Sequence, residues 1–157
     1  MGALKGSQLN ALDSTQLAGI ETADIAAIST SSLATLSTAQ MIKLSSAQIA
    51  GLTTAQISKF TTNQINNLGT TQIAGVNADK LTALSSSQIG ALKAEQINAL
   101  SSTQVQGIEA ADIPAITTAV LSALTTTELA KLSSAQSAAL TTSQRAALTT
   151  DQISALP

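Results

Sequence analysis

Large apolar residues recur along the chain at every eighth position, without an insertion or a deletion. We call this position a of an eight-residue unit, with positions a to h. A fixed short period is typical of repeat architectures, in which each unit packs only on its neighbours. The residues of the series are Leu4, Leu12, Ile20, Ile28, Leu36, Leu44, Leu52, Phe60, Leu68, Val76, Leu84, Leu92, Leu100, Ile108, Ile116, Leu124, Leu132, Leu140, Leu148 and Leu156.

The other positions of the unit are also patterned. Position f is apolar in 17 of the 19 complete units, with Ser137 and Arg145 as the exceptions, and position e is Gln in 13 of 19. Position b is usually Ser or Thr, and position h is mostly Ala or Gly. The consensus is therefore L-[ST]-[ST]-x-Q-I-x-A, as in residues 44–51, 52–59 and 148–155.

This unit carries the signals of a helix start. Ser or Thr at b followed by Gln or Glu at e is a capping box, in which b is the N-cap. Positions a and f are then the two partners of a hydrophobic staple. Ten units have the box: Ser37/Gln40, Ser45/Gln48, Thr53/Gln56, Thr61/Gln64, Ser85/Gln88, Ser101/Gln104, Thr125/Glu128, Ser133/Gln136, Thr141/Gln144 and Thr149/Gln152.

The spacing excludes the two regular alternatives. In one continuous helix the apolar stripe would drift around the axis by about 80° per unit, so no fixed face would be apolar. In a strand, the odd spacings from a to f and from f to the next a would place the apolar residues on opposite faces. Helices of five or six residues, about 8–9 Å long, fit better, but such short helices persist only when neighbours stack on them. The sequence predicts an all-α solenoid, a superhelix of very short helices with one helix per unit. We expect two to four units per turn, a and f inside, and small h residues at close approaches.

Two irregular units share an acidic pair and lie 88 residues apart. Glu21/Asp24 and Glu109/Asp112 have two interpretations: small cation sites, or acids that suit a helix N-terminus. The second is favoured because two carboxylates without further oxygen ligands are a poor calcium site. The 88-residue spacing, which also separates Lys43 from Lys131, equals 11 units and indicates an ancestral block that was duplicated.

Other departures also have alternative explanations. The polar residues Ser137 and Arg145 at f indicate either fraying toward an end, which is favoured, or a partner-binding surface. Pro114 lies at g, beside the expected break, where it should cost little. The Ser and Thr pairs at b and c are either N-caps, which the accompanying Gln favours, or a hydroxyl ladder for an ordered lattice such as ice or a polysaccharide.

The composition argues against most kinds of catalytic and metal-binding site. His, Cys, Trp and Tyr are absent, Phe60 is the single aromatic residue, and the 10% of charged residues are scattered with a net charge of −2. We therefore expect no enzyme, no catalytic residue, no cofactor and no metal site. No basic stripe or stacking aromatic predicts a nucleic-acid partner, and no apolar run is long enough for membrane insertion.

The unit resembles the octapeptide tracts of long bacterial secreted or surface proteins described as adhesin-like, hemolysin-like or haem-utilisation proteins. The resemblance implies an extracellular or cell-surface location and transfers no active site. The sequence contains no His, Cys or Tyr that could ligate a haem iron, and only Met1 and Met41 carry thioethers. Two functions remain open, a structural scaffold or spacer and a solenoid that binds a protein or glycan on one polar face. Self-association or contact with neighbouring repeats is a further expectation.

We expect residues 4–157 to form a single solenoid that is a segment of a longer array, because the units at both ends already match the consensus. Residues 1–3 are then interpreted as a start added for expression. A designed consensus protein is the alternative, but the drifted units and the 88-residue echo favour a natural origin.

Overall fold

The computed structural model describes residues 5–157, so the interpretation of residues 1–3 lies outside the described chain. Within that range the secondary structure is entirely helical, which confirms the all-α prediction. The helices are α1 (Gly6–Ala11), α2 (Ser14–Ala18), α3 (Thr22–Ala27), α4 (Thr30–Ala34), α5 (Thr38–Met41), α6 (Ser46–Gly51), α7 (Thr54–Ile57), α8 (Thr62–Asn66), α9 (Thr70–Ile73), α10 (Ala78–Thr82), α11 (Ser86–Gly90), α12 (Ala94–Asn98), α13 (Ser102–Gln106), a 3₁₀ helix (Ala110–Ala115), α14 (Thr118–Ser122), α15 (Thr126–Leu129), α16 (Ser134–Ala138), α17 (Thr142–Ala146) and α18 (Thr150–Ser154).

Each unit forms one helix, in the predicted register. In α11 the N-cap is Ser85 at position b, with extended backbone angles of φ −76° and ψ 160°. The helix then runs from c to g, and the chain leaves it at Ala91 and Leu92. Because the extended residue at every b interrupts the helical path, no helix exceeds six residues in the described chain.

Positions a and f form one continuous core. Leu84 at a is 4% exposed and Ile89 at f is 0% exposed, and from Leu9 to Leu148 every large apolar residue at a or f is buried except Leu12, which is partly buried. These are the two staple positions, so each helix start is also a core contact. The predicted apolar lining is confirmed.

Successive turns of the superhelix stack three to four units apart. Helix α6 packs on α3 behind it and on α9 ahead of it. Hydrogen bonds between turns join residues 25 to 31 positions apart, as from Asn10 to Thr35 and from Gln48 to Leu17. One turn therefore takes between three and four units, within the predicted range.

Small residues at h allow close approach, as expected. A Cβ atom on Gly75 would lie 2.5 Å from the carbonyl oxygen of Ser46, and one on Gly107 would lie 2.7 Å from that of Ala78. Both distances are shorter than a side chain tolerates. Glycine at these positions thus lets one turn rest on the backbone of the previous one.

Three irregular units remain ordered. Pro114 lies in the last turn of the 3₁₀ helix, and Ile116 N–H still donates to the Ile113 carbonyl at 3.1 Å. Ser137 is buried, Arg145 is exposed, and the Arg145 guanidinium donates to the Ser137 carbonyl. Since α16 and α17 both keep complete capping boxes, the expected fraying is not seen there.

Candidate functional site

The predicted capping boxes are formed in most units. In α6, Ser45 Oγ accepts from Gln48 N–H at 3.1 Å, and Gln48 Oε1 accepts from Ser45 N–H at 2.9 Å. This satisfies two of the helix's free N–H groups. Eight of the ten predicted pairs are complete: Ser45/Gln48, Thr53/Gln56, Thr61/Gln64, Ser85/Gln88, Ser101/Gln104, Ser133/Gln136, Thr141/Gln144 and Thr149/Gln152.

The other two predicted boxes are half-formed, and each has a physical reason. Ser37 N–H donates to Asn10 Oδ1 at 2.8 Å instead, which leaves the buried Gln40 Oε1 without a partner. In α15 the Thr125 hydroxyl caps Glu128 N–H at 3.3 Å, but the Glu128 carboxylate faces Lys131 at 3.1 Å. A neighbouring polar group thus competes for the second half of the box in both units.

Sequence reasoning missed boxes that lack Ser or Thr at b. Asp13 and Gln16 form a complete pair, with hydrogen bonds of 2.8 and 3.0 Å. Gln also accepts from the backbone N–H of b where that residue has no capping side chain, as at Lys5, Gly69 and Lys93. The Gln half of the box depends only on the backbone and therefore survives substitution at b.

The side chain at e also bonds the previous turn, a role that the sequence analysis did not predict. While Gln48 Oε1 accepts from its own unit, Nε2 donates to the carbonyls of Leu17 at 2.8 Å and Ile20 at 2.9 Å. The carbonyl at a lies outside the helices, so a donor from the next turn satisfies it. One side-chain amide therefore both caps the start of its own helix and bonds that helix to the previous turn.

We call this set of bonds the glutamine ladder. Each of its members donates from Nε2 to the position-a carbonyl 28 residues earlier, over 2.6 to 2.9 Å. Most of these side chains are almost wholly buried, and Gln96 is 0% exposed. The eleven members are Gln40, Gln48, Gln56, Gln64, Gln72, Gln88, Gln96, Gln104, Gln136, Gln144 and Gln152.

Lysine replaces the ladder amide at one unit. Lys80 at e is buried, and its Nζ donates to the Ala50 carbonyl at 2.7 Å. Burial lowers the pKa of the Lys80 ammonium below its ordinary value, and the carboxylate of Asp79 partly offsets this effect. The carbonyl of Leu52, 28 residues before Lys80, receives no donor within the described chain.

An ion pair replaces the ladder amide at another unit. Glu128 at e cannot donate, but Lys131 at h bonds both the Glu128 carboxylate at 3.1 Å and the Leu100 carbonyl at 2.8 Å. Leu100 lies 28 residues before Glu128. Two side chains, which are 11% and 19% exposed, thus do together what one Gln does elsewhere.

Neither of the two acidic pairs belongs to a cluster of potential metal ligands in the described chain. Asp112 is buried and accepts from Ser86 Oγ at 2.5 Å, whereas Glu109 and Glu21 are exposed. Asp24 and Asp112 lie in the first turns of their helices, as the capping interpretation expects. Among residues 5–157, no three His, Cys, Asp or Glu side chains come together as metal ligands would.

The exposed surface of the described chain consists mainly of serine, threonine and alanine. Several residues with hydroxyls at c are exposed, among them Thr62, Thr70 and Thr142. Ile42 and Ile153 are the large apolar side chains exposed on the part of the chain that the structure describes. No described helix combines the length and the apolar character that crossing a bilayer requires.

Comparison with known proteins gives one family match. A family model described as the ALTTAQ repeat matches four overlapping stretches, residues 17–54, 41–78, 78–107 and 105–142, which together span most of the chain. The comparisons with curated proteins and with solved structures find no match.

Proposed function

Because the chain belongs to the ALTTAQ repeat family, we propose that its function lies in the array itself, as a non-enzymatic structural scaffold or spacer. The observation that carries this proposal is the glutamine ladder. It bonds each turn to the next through backbone carbonyls, so every added unit extends the same cohesive body. A continuous core and a surface made mainly of small serine, threonine and alanine residues favour length and stiffness over one recognition site.

The resemblance to octapeptide tracts of long bacterial surface proteins adds a location to this proposal. We place the chain in an extracellular or cell-surface protein, where it would hold an adhesive or anchoring region at a distance. Contacts with neighbouring repeats of the same array would be its main partners.

A binding solenoid is the second candidate, and the exposed hydroxyls favour it. Thr62 and Thr70 at c, together with polar residues at d, form a repeated surface to which a glycan or an ordered lattice would hydrogen-bond. The spacer proposal expects no saturable ligand. The binder proposal expects one surface whose substitution abolishes binding while the fold remains.

The two candidates are separated by ligand screening combined with mechanical measurement. The folded chain is tested on a glycan array and stretched between handles in an optical trap. The spacer proposal expects no saturable glycan signal. It also expects a high stretching stiffness in the optical trap, which should be seen again when two copies of the chain are joined in tandem. A saturable ligand that is lost in a Thr62→Ala, Thr70→Ala variant would replace it with the binder proposal.

A further inference from the structure

Between Gln40 and Gln152 the glutamine ladder is interrupted at four units, and at three of them, those of Lys80, Asp112 and Glu128, another side chain bonds the neighbouring turn. The fourth has no such substitute. The unit that contains α14 has Val120 at e, and valine neither accepts from the N-cap amide nor donates to the previous turn. The corresponding acceptor, the Leu92 carbonyl, receives no hydrogen bond from a described residue. The cap of α14 itself remains, since Thr117 Oγ1 accepts from Val120 N–H at 3.3 Å.

A second kind of bond between turns is missing at the same unit. Elsewhere a polar side chain at g donates to the carbonyl 25 residues later, as from Asn10 to Thr35 and from Asn66 to Ala91, both at 2.9 Å. Asn98 occupies the equivalent position before Ala123 and forms no such bond among the described residues. Its Oδ1 is instead buried without a partner.

The neighbouring units show that the loss is local. One unit earlier, Asp112 replaces the ladder Gln but is tied to the previous turn by Ser86 Oγ at 2.5 Å. One unit later, the pair of Glu128 and Lys131 restores the bond to Leu100. No hydrogen bond joins the unit of α14 to the previous turn among the described residues, so this contact depends on buried apolar side chains, and Ile116 and Leu121 are both buried in that unit.

We propose that this contact, between Leu92 and Asn98 on one turn and residues 117–123 on the next, is a built-in weak joint that opens before the rest of the solenoid. Local opening is governed by the bonds broken, and here only apolar burial opposes it. An unpartnered buried amide oxygen on Asn98 further lowers the cost of opening, because water satisfies it once the turns separate. The solenoid thus contains one contact between turns that is weaker than the contacts on either side of it.

Hydrogen exchange detected by nuclear magnetic resonance tests the joint on the intact chain. The amides of Leu121, Ala123 and Leu124, in and just after α14, should exchange at least about tenfold faster than those of Val105, Gly107 and Ile108, which occupy the same three positions around α13. Equal rates in the two sets would overturn the proposal.

A reciprocal pair of variants identifies the cause. Val120→Gln restores an acceptor for Thr117 N–H and a donor for the Leu92 carbonyl, so it should slow the α14 amides to the rate seen in α13. Gln104→Val creates the same gap two units earlier and should speed the α13 amides instead. If Val120→Gln leaves the α14 rates unchanged, the joint is not due to the missing ladder bond. The Val120→Gln result alone decides whether the missing ladder bond causes the weak joint, even if Gln104→Val does not fold. Circular dichroism will show whether Gln104→Val is folded.

Discussion

Gln136 Nε2 lies 2.6 Å from the carbonyl oxygen of Ile108, 28 residues earlier, while Gln136 Oε1 accepts from Ser133 N–H at 2.8 Å. One buried amide thus fixes a helix start and stacks two turns. Since the same geometry recurs along the chain, the contribution of one such amide to the free energy of unfolding can be measured at a single position.

Gln96→Met tests the ladder where the side chain is most buried. The methionine keeps the volume but leaves the Leu68 carbonyl and the Lys93 N–H without partners. We expect a loss of about 2–4 kcal/mol in the free energy of unfolding, because each orphaned buried group costs about 1–3 kcal/mol. Urea titration measures it.

Gln16→Met is the matched control, because Gln16 is exposed and bonds only Asp13 in its own unit. It should cost about 0.5 kcal/mol. Equal losses in the two variants would mean that the bonds between turns contribute nothing.

Leu84→Ala and Ser87→Ala test the register of the core. Leu84 is buried at a, and Ser87 is exposed at d. The first substitution should cost about 2–5 kcal/mol, and the second should change stability by less than about 0.5 kcal/mol. Thermal or urea unfolding of both variants measures the difference, and similar values would contradict the assignment of a as core.

Lys80→Gln should stabilise the chain. The new amide places Oε1 near Asn77 N–H and Nε2 near the Leu52 carbonyl, as at the other ladder positions, and it removes a buried ammonium. We expect a gain of about 1 kcal/mol from the added bonds. A lower midpoint in urea than that of the unchanged chain would show that Lys80 is already the better partner.

Lys80 also predicts a pH dependence. Its pKa is lower in the folded chain than in the unfolded chain, so between the two values the unfolded chain binds more protons. The free energy of unfolding should therefore rise as the pH increases through this alkaline interval. The difference between the unchanged chain and Lys80→Gln, measured at several pH values, isolates the contribution of Lys80. A difference that does not vary with pH would contradict it.

The ion pair of Glu128 and Lys131 is tested by a double-mutant cycle. Lys131→Met removes the donor to Leu100 and leaves Glu128 without its cation, so it should cost about 1–3 kcal/mol. In a Glu128→Gln background the amide bonds Leu100 itself, and the same change should cost less than about 0.5 kcal/mol. Additive effects would show that the pair does not substitute for the ladder amide.

The sequence predicts the register, the short helices, the caps and the buried positions, because all of these depend on contacts within one unit. The bond from Gln48 to Ile20 depends on residues 28 apart, and its acceptor is a backbone atom that leaves no trace in residue type. One signal was available nonetheless. A capping box needs only an acceptor at N3, where Glu serves as well as Gln, yet Gln stands at e in 13 units and Glu only at position 128. That preference indicates a required donor.

The half-formed box of Ser37 and Gln40 was beyond prediction for the same reason. Its competitor, Asn10, lies 27 residues away from Ser37 and meets it only because one turn takes between three and four units. Likewise, the pairing of Asp112 with Ser86 needs the stacking distance between turns. Local pattern determines each helix, while the number of units per turn determines which units meet.

The acceptors of the glutamine ladder are main-chain carbonyls, which every unit presents whatever its side chains. A gene for such an array can therefore gain or lose a single octapeptide by unequal recombination, and each downstream glutamine will find an equivalent carbonyl one turn back. The number of units can therefore change at little cost in folding, because an inserted or deleted octapeptide leaves the pairing of each glutamine with a position-a carbonyl intact.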